Sequence, residues 1–402
     1  MSRRPNLFIG SATWSPDGTL IACGSLTSGD HQEIVTARVA DGAITAIPVS
    51  QTGEILQVAW RADGRSLLMI VEKEDNILFQ IWSVNYPDGA MHKVTDDSQN
   101  YSNISLSADG NSIVAVQAAQ ETHLWLLAAG EDASRAKQLT HGVDKYDGFF
   151  AINWTDDGRI IYENAPSGRS AVWVMDSDGH RAKELLSPSI TTAASSDGNF
   201  LVYQGRDANG TGLFRFDVKE GEKQRLTTGA DIYPTISPDG QTVVFLRFAN
   251  DVAIWKVPLE GGEGSKLTDL PGFLSAPAIS PDGRFIAFLR TGGGKMPLEA
   301  LTITGIEGGE IVREFDVPVE QTLNLGKRAL QWTPDSQGIN FVSVKKNVSN
   351  IWRQRLDASP PIQITNYESG RIFNFAFSPD GRQLAISRGT FNRDVVLIND
   401  IN

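Results

Sequence analysis

The sequence predicts an all-β fold made of repeated four-stranded antiparallel sheets. The first observation is a tight turn of the type Ser-Pro-Asp-Gly, as at Ser280-Pro-Asp-Gly283. Pro presets φ, the Asp side chain caps the turn, and Gly supplies a positive φ. The second observation is a short apolar strand on each side of the turn, here followed by Phe285-Ile-Ala-Phe-Leu289. The third is recurrence, because the turn occurs nine times. Four short strands per repeat, with one repeat every 40 to 53 residues, are typical of the blades of a β-propeller.

The nine turns are located by their aspartates, which are Asp17, Asp63, Asp109, Asp157, Asp197, Asp239, Asp282, Asp335 and Asp380. The spacing ranges from 40 residues, between Asp157 and Asp197, to 53 residues, between Asp282 and Asp335. Eight of the nine are followed by Gly, and Asp335 is followed by Ser336. Repeated once per blade, these carboxylates are interpreted as turn formers rather than as an array of ligands.

The first strand of each repeat carries an apolar residue three positions before the Asp, and this position is expected to face a core. These residues are Trp14, Trp60, Leu106, Trp154, Ala194, Ile236, Ile279, Trp332 and Phe377. Trp14 lies in a terminal repeat and is expected to bury less surface than Trp332, because a repeat with one neighbour has less to pack against.

The third and fourth strands also carry recurring residues. An aromatic residue marks the third strand in six repeats, at Trp82, Trp125, Trp173, Phe214, Trp255 and Trp352. A threonine ends the fourth strand in five repeats, at Thr95, Thr140, Thr227, Thr268 and Thr365. The regular order of these positions predicts four strands in most blades.

Nine motifs exceed the four to eight blades of most propellers, so two arrangements are open. The short connections favour one continuous array over residues 1–402, forming a single ring of eight or nine blades. The alternative is a partial propeller over 1–145 and a six-bladed ring over 146–402. The last repeat is expected to have strands at 383–388 and 394–399 but no fourth strand. Either one blade has three strands or the chain is the C-terminal part of a longer protein.

Composition excludes several classes of function. The 402 residues carry a formal net charge of −12, which argues against nucleic acid as a partner. Cys23 is the only cysteine, and its place in a strand favours a small core residue over a nucleophile. The N-terminal apolar stretch is too short for a signal peptide, and the apolar run at 67–71 is too short to span a bilayer. The chain is therefore expected to be soluble and, as written, cytoplasmic.

No catalytic, cofactor-binding or metal-binding residue is predicted. The five histidines form no H-E-x-x-H pair, and no G-x-S-x-G motif is present. Gly292-Gly-Gly-Lys295 lacks the spacing of a phosphate-binding loop, and Asp176-Ser-Asp-Gly179 is better explained as a hairpin turn than as a calcium loop. The sequence therefore indicates a protein that is not an enzyme.

Long loops on a β scaffold are where binding residues concentrate. Three connections are longer than the repeat requires, at 141–150, 291–299 and 317–329. Residues in the loops before first strands are candidates for contacts with a protein or small ligand at one rim of the propeller: Tyr101, Tyr146, Tyr233, Phe273, Lys327 and Arg328.

The repeats resemble known families. Trp14-Ser-Pro-Asp-Gly-Thr-Leu-Ile-Ala looks like a TolB-like or WD-repeat-like blade. Trp332-Thr-Pro-Asp, Val348-Ser-Asn-Ile-Trp-Arg-Gln-Arg-Leu-Asp357 and Ile372-Phe-Asn-Phe-Ala-Phe-Ser-Pro-Asp-Gly381 resemble the C-terminal propeller region of membrane-anchored serine/threonine kinases of acidobacterial type. The resemblance covers essentially the whole chain.

That resemblance implies a propeller that follows a kinase domain and a transmembrane helix and lies outside the cytoplasm. This chain has no H-R-D or D-F-G motif, so no catalytic residue carries over. The resemblance implies a sensor or interaction module, with a kinase domain encoded upstream as one partner. Two alternatives remain: a TolB-like scaffold in an envelope complex, and the accessory propeller of a prolyl-oligopeptidase-like hydrolase.

Overall fold

The computed structural model describes residues 11–26, 32–50, 53–72, 78–143, 145–165, 168–249, 251–270, 272–291, 299–317 and 330–399. Within these residues the regular structure is almost entirely β-strand, and Ala133–Arg135 form a 3₁₀ turn. The predicted all-β fold of antiparallel propeller blades is confirmed. A search of the described part of the chain finds no helix with the length and apolarity needed to cross a membrane.

The strands follow one another along the chain. The first ten are β1 (Thr13–Trp14), β2 (Leu20–Leu26), β3 (Gln32–Arg38), β4 (Ile44–Ile47), β5 (Ile55–Trp60), β6 (Ser66–Glu72), β7 (Phe79–Asn85), β8 (Met91–Lys93), β9 (Asn100–Leu106) and β10 (Ser112–Ala128). The next thirteen are β11 (Lys137–Gln138), β12 (Ile152–Trp154), β13 (Arg159–Asn164), β14 (Ala171–Asp176), β15 (Lys183–Leu186), β16 (Ile190–Ala194), β17 (Phe200–Asp207), β18 (Gly210–Asp217), β19 (Lys223–Arg225), β20 (Ala230–Ile236), β21 (Thr242–Phe248), β22 (Val252–Pro258) and β23 (Ser265–Lys266). The remainder are β24 (Phe273–Leu274), β25 (Ala278–Ile279), β26 (Phe285–Thr291), β27 (Glu299–Gly305), β28 (Ile311–Val317), β29 (Leu330–Trp332), β30 (Gly338–Lys345), β31 (Val348–Arg355), β32 (Ile362–Gln363), β33 (Arg371–Phe377) and β34 (Gln383–Asn399).

Most sheets are formed by four consecutive strands, as the repeat predicts. These sheets are β1–β4, β5–β8, β12–β15, β16–β19, β20–β23 and β29–β32. In the sheet β24–β28 the first strand is interrupted, and β24 and β25 both pair with β26. The sequence periodicity therefore locates each of these blades correctly.

The third and ninth motifs depart from the expected pattern. Residues 383–399, expected as two strands, form the single strand β34, and the third motif likewise continues through the 17-residue strand β10. The sheet order is β11-β10-β34-β33, and β9 also pairs with β10. The strands missing from the last repeat therefore come from the middle of the chain, because β10 and β11 take the third and fourth places beside β33 and β34.

The chain divides into two compact units. The first comprises Met1–Gln120, Pro166–Arg169 and Phe391–Asn402, and the second comprises Glu121–Ala165 and Ser170–Thr390. Among the described residues, the first unit contains the sheets β1–β4 and β5–β8 and a third sheet, made of β9 with the unit's own parts of β10 and β34. The described part of the second unit contains six sheets.

The six sheets of the second unit close a circle. Contacts between first strands join β12 to β16, β16 to β20, β20 to β25 and β25 to β29. The Gln331 side chain of β29 then accepts a hydrogen bond from the Phe377 amide of β33 at 2.7 Å, and β33 contacts β12. These six blades are complete by themselves. The pairing of β10 with β34 completes the last sheet of this circle.

The turn aspartates act as predicted for turn formers. In eight repeats the Ser or Thr hydroxyl two residues earlier donates to the Asp carboxylate, as Ser280 does to Asp282 at 2.6 Å. The same hydroxyl accepts the amide N–H that opens the second strand, as Ser280 does from Phe285 at 2.9 Å. A hydroxyl–carboxylate pair thus fixes each of these turns.

The threonines that end the fourth strands also have one shared role. The Thr side-chain oxygen accepts the N–H of an aliphatic residue on the third strand, as Thr268 does from Ile254 at 3.0 Å. The same bond occurs at Thr95, Thr140, Thr227 and Thr365. This bond ties the outer strand of the blade to its neighbour.

The first-strand packing position is buried or partly buried in eight repeats but not in the first. Trp332 is 3% exposed, whereas Trp14 is 59% exposed. The expectation that Trp14 buries less than Trp332 is confirmed, while the expectation that all nine positions face a core is wrong at Trp14. The reason is that, within the described residues, the sheet β1–β4 packs against a second sheet on one face only.

Candidate functional site

The first strands of the second unit all begin at one end of its ring. Each of these strands runs into a turn of the Ser-Pro-Asp-Gly type, and neighbouring first strands contact one another around the circle. Their starting ends therefore surround one opening. We call this opening the mouth and define it by seven residues: Tyr146, Phe149, Phe150, Thr191, Thr192, Tyr233 and Phe373.

Backbone irregularities cluster at the mouth. The strand register shifts between Ile190 and Ala193 in β16 and between Ile232 and Thr235 in β20. Within these bulges Thr191 has a φ of 57° and Tyr233 a φ of 53°. Positive φ is uncommon for such residues, and strain of this kind concentrates at ligand-binding positions. The Tyr233 amide donates to the Thr191 hydroxyl oxygen at 3.4 Å, which links the two bulges.

Aromatic rings form one side of the mouth. Phe149 lies edge-on to Phe150 with ring centroids 4.8 Å apart, and it contacts Phe373 at 5.4 Å and Tyr146 at 6.1 Å. Phe149 is buried, whereas Phe150 is half-buried. Gly148 precedes the cluster with a φ of 68°, and a Cβ there would lie 2.6 Å from Leu124 Cδ2. Only glycine can make the turn that presents these rings.

Glu163 supplies a buried carboxylate next to the bulges. It lies near the end of β13 and is 1% exposed. Its Oε1 accepts a short hydrogen bond from the Thr192 amide. Burial, together with the charge of Glu163, raises the pKa of Tyr233 to about 12. The Glu163 carboxyl therefore lies beside Tyr233 and, together with burial, opposes ionisation of that phenol.

Asp147 supplies a second buried carboxylate, on the other face of the same sheet. It is 1% exposed, and burial raises its pKa, an effect opposed by the Thr140 hydroxyl and the charges of Lys145 and His123. Burial and then the charge of Asp147 raise the pKa of Tyr162. Because Tyr162 and Glu163 are consecutive in a strand, their side chains point to opposite faces. The two carboxylates therefore flank the sheet β12–β15.

The buried Asp231 differs from these two carboxylates. Its two oxygens accept hydrogen bonds from Arg247 Nε and Nη2, each at 2.7 Å. Arg247 also lies over the Trp255 ring at 4.4 Å. This bidentate pair is neutralised within its own blade, which indicates a structural role.

The residues chosen from the sequence fall in different places. Tyr146 and Tyr233 lie at the mouth, while Tyr101 lies in the core of the first unit and donates its hydroxyl to Asp97 Oδ2 at 2.8 Å. Burial, followed by this bond, raises the pKa of Tyr101 to about 12. Phe273 occupies β24, paired with Thr291. Lys327 and Arg328 lie outside the described residues.

Sequence reasoning missed Asp147, Glu163 and Thr191. Asp147 lies in the long connection 141–150, which had already been singled out. Glu163 is an acidic residue at the end of the otherwise apolar run Ile160-Ile-Tyr162, an available signal of a buried charge. Thr191 carries no local signal, because its conformation depends on the neighbouring strand.

A pocket of about 310 Å³ lies at the opposite end of the ring, near two turns. Its lining includes Arg353 and Arg355 as well as Asp335 and Asp380. Thr333 and Ser378 already donate hydrogen bonds to these carboxylates. The pocket is therefore explained by turn geometry. Across the described residues, no group of three or more His, Cys, Asp or Glu side chains is arranged to hold a metal ion.

Comparison with known proteins finds partial similarity to repeat proteins, and no family model matches the chain. A WD repeat-containing protein, the WDS homolog of Arabidopsis thaliana, is 24% identical over 165 residues, which cover 39% of this chain and 30% of that protein. The Tol-Pal system protein TolB of Campylobacter jejuni is 25% identical over 118 residues, which cover 28% of this chain and 29% of that protein. The matches thus span about a third of the length of these relatives.

Two solved structures also align with this chain. TolB from Acinetobacter baumannii aligns over 92% of this chain and 79% of its own, with 13% identity and a TM-score of 0.44. A nidogen/laminin complex aligns over 61% of this chain and 94% of its own, with 10% identity and a TM-score of 0.46.

Proposed function

We propose that this protein is a non-catalytic propeller whose second unit binds a segment of a partner protein at the mouth. The observation that carries the proposal is the combination at one opening of strained bulges, a partly exposed aromatic surface and two buried carboxylates. The partial similarity to WD-repeat and TolB proteins supports protein binding rather than catalysis. These 402 residues contain no G-x-S-x-G nucleophile motif, which weighs against catalysis by the residues given.

The chemistry of the mouth favours a basic segment with hydrophobic neighbours. Phe150 and Tyr233 are half-buried and offer flat apolar surface. Glu163 lies beside Tyr233, and its carboxylate form gives the opening a negative potential, which is screened little by salt because Glu163 is buried. A Lys or Arg side chain gains from both features, since aromatic faces and carboxylates each attract cations.

Selection from a displayed library of random twelve-residue peptides tests this proposal on the full chain. We expect enrichment of peptides that carry Lys or Arg beside an aromatic or aliphatic residue. Glu163→Gln and Tyr233→Ala should each weaken binding of the selected peptides at least tenfold. Asp380→Asn is the matched control, because it removes a carboxylate at the opposite end of the ring and should leave binding unchanged.

Equal binding by the Glu163→Gln, Tyr233→Ala and wild-type proteins would contradict the assignment of the mouth. If mass spectrometry shows that the selected peptides are cleaved during incubation with the protein, the proposal that the propeller is non-catalytic is contradicted and the hydrolase alternative is favoured. The first measurement tests where the peptides bind, and the second tests whether the protein is catalytic, so the two parts of the proposal can fail separately.

We propose further that the propeller is the sensor module of a membrane serine/threonine kinase and that the mouth binds the signal. It is supported by the resemblance of Trp332-Thr-Pro-Asp and of the segment beginning at Ile372 to the propeller regions of such kinases. A scaffold in an envelope complex is the alternative, supported by the partial similarity to TolB. Capture with the tagged full chain, followed by kinase assay of the eluate, separates them, because only the sensor role predicts a co-purifying kinase.

A further inference from the structure

Within the described residues, the first sheet of the first unit leaves one apolar face uncovered. Strand pairing places Trp14, Ile21, Ala37 and Ile44 in one row across β1, β2, β3 and β4. Trp14 is 59% exposed and Ile44 is 55% exposed. The opposite face carries Ala22, Ile34 and Ile47, which pack against the sheet β5–β8. We call the uncovered row the Trp14 face.

In the part of the chain that the structure describes, the third sheet of the same unit also leaves a face uncovered. Ser105 of β9 pairs with Val114 of β10, and both are exposed. In the part of β34 that belongs to this unit, Val395 and Leu397 are exposed, while the alternating Val396 and Ile398 pack into the core. We call the surface of Ser105, Val114, Val395 and Leu397 the Val114 face.

The second unit shows what covers a face of the Trp14 type. Trp154 and Ile160 form the corresponding row and are buried in one cluster with Ala376 and Ala385 of the preceding blade. The Trp154 indole Nε1 donates to the carbonyl oxygen of Ala376 at 2.9 Å. Trp332 repeats this contact with the carbonyl oxygen of Ala278 at 2.9 Å. A Trp in this position therefore packs on the inner strand of the blade before it.

The Val114 face is the counterpart of the covering surface. Ala376 and Ala278 lie four residues before their turn aspartates, and Ser105 occupies the same position before Asp109. The pair Ser105 and Val114 likewise corresponds to the pair Ala376 and Ala385. The first unit thus presents both halves of a blade-to-blade interface, one on its first sheet and one on its third.

We propose that two copies of this chain associate through their first units, with the Trp14 face of each copy on the Val114 face of the other. The second unit shows that six sheets of this repeat close a circle, and the first unit has three in the described part of the chain. Two copies therefore supply the number needed for closure, so that the contacts end at a symmetric dimer instead of an open filament.

The size of the contact fits a stable dimer. With strands about 4.8 Å apart and a rise of about 3.3 Å per residue, the sheet β1–β4 gives a face of roughly 300 Å² and the three strand segments of the third sheet a face of roughly 400 Å². Both faces of both copies are covered in the dimer, or roughly 1,400 Å² in all, which lies within the usual size range of a specific protein interface. The residues at the centre of each face are apolar, as in the core of such interfaces.

Sedimentation velocity of the full chain over a hundredfold range of concentration tests this proposal. We expect a species of twice the 43.7 kDa of one copy. Trp14→Glu and Val114→Lys should each yield monomers, because each change damages both junctions of the dimer. Val143→Glu is the matched control, since Val143 is 79% exposed but lies in the second unit, and this variant should remain dimeric.

Mixing the two monomeric variants makes the test specific. In a mixed dimer one junction is native, and the other joins the introduced glutamate of one variant to the introduced lysine of the other, so dimers should reappear. Circular dichroism of each variant checks that the fold is retained. A wild-type monomer at every concentration, dimers that persist in both variants, or open higher-order species would each overturn the proposal.

Discussion

Nearly the same five residues behave differently in the two units. Trp14-Ser-Pro-Asp-Gly lies in the first and Trp332-Thr-Pro-Asp-Ser in the second, and both form the same turn. Trp332 stacks on Phe285 with ring centroids 6.3 Å apart and is 3% exposed, whereas Trp14 is 59% exposed. The motif therefore determines the turn, while the presence of a preceding blade determines burial.

Truncation of the tryptophan should give the largest difference in stability between the two units. Trp332→Ala removes a buried indole and its bond to Ala278, so we expect a loss of about 3–5 kcal/mol in the free energy of unfolding. Trp14→Ala removes a mostly exposed side chain and should cost about 1 kcal/mol or less. Denaturation by guanidinium at a concentration where the chain is monomeric measures both, and equal losses would contradict the difference in packing.

A substitution that disturbs the pairing of β34 with β10, which closes the second unit, should have the next largest effect on stability. A Cβ at Gly389 would overlap the backbone carbonyl oxygen of Glu121, so Gly389→Ala forces β34 away from β10. Overpacking of this kind costs roughly 1–3 kcal/mol and occasionally more. Hydrogen exchange should show faster exchange in β10 and β34. Gly305→Ala is the control, because a Cβ there meets only the Gly308 carbonyl at 3.6 Å; if it exchanges equally fast, the close approach is not the cause.

The fourth-strand threonines should show no difference between the units. Thr95→Val in the first and Thr268→Val in the second each remove the acceptor of a buried amide, that of Ile81 or Ile254. An unsatisfied buried amide costs about 1–3 kcal/mol, so both variants should lose similar stability. Thermal denaturation measures the loss. A much smaller loss for Thr95→Val would show that this bond is not formed in the first unit.

The smallest effect concerns acid titration of the turns. The Ser15 hydroxyl lowers the pKa of Asp17, and the Ser378 hydroxyl lowers that of Asp380, below the ordinary value of 3.8. A lowered pKa in the folded state means that the ionised form stabilises the fold. This stabilisation is present above pH 3.8 and is lost as the pH falls through the lowered value.

Carbon NMR of labelled aspartates, assigned with Asp17→Asn and Asp380→Asn, should find both carboxyls with a pKa below 3.8. An ordinary pKa at Asp17 beside a lowered one at Asp380 would mean that the first turn is less well formed than the second. Such a result would extend the difference between the units from packing to local structure.

The sequence by itself determined the features that depend on neighbouring residues. Ser280, Asp282 and Phe285 form their bonds within five residues, so spacing alone predicts the turn. The threonine bonds span about fourteen residues within one repeat and recur at regular positions. The alternation of these signals was enough to predict antiparallel propeller blades.

Only the tertiary structure decided how the blades are grouped and where the mouth lies. The partner of β34 is β10, which lies far earlier in the chain, and no local pattern selects it. The mouth likewise depends on Tyr233 meeting Thr191 and on Glu163 meeting Thr192, which belong to different blades. The physical reason is that a repeat makes its blades chemically alike, so their pairing and closure depend on which surfaces pack together in space.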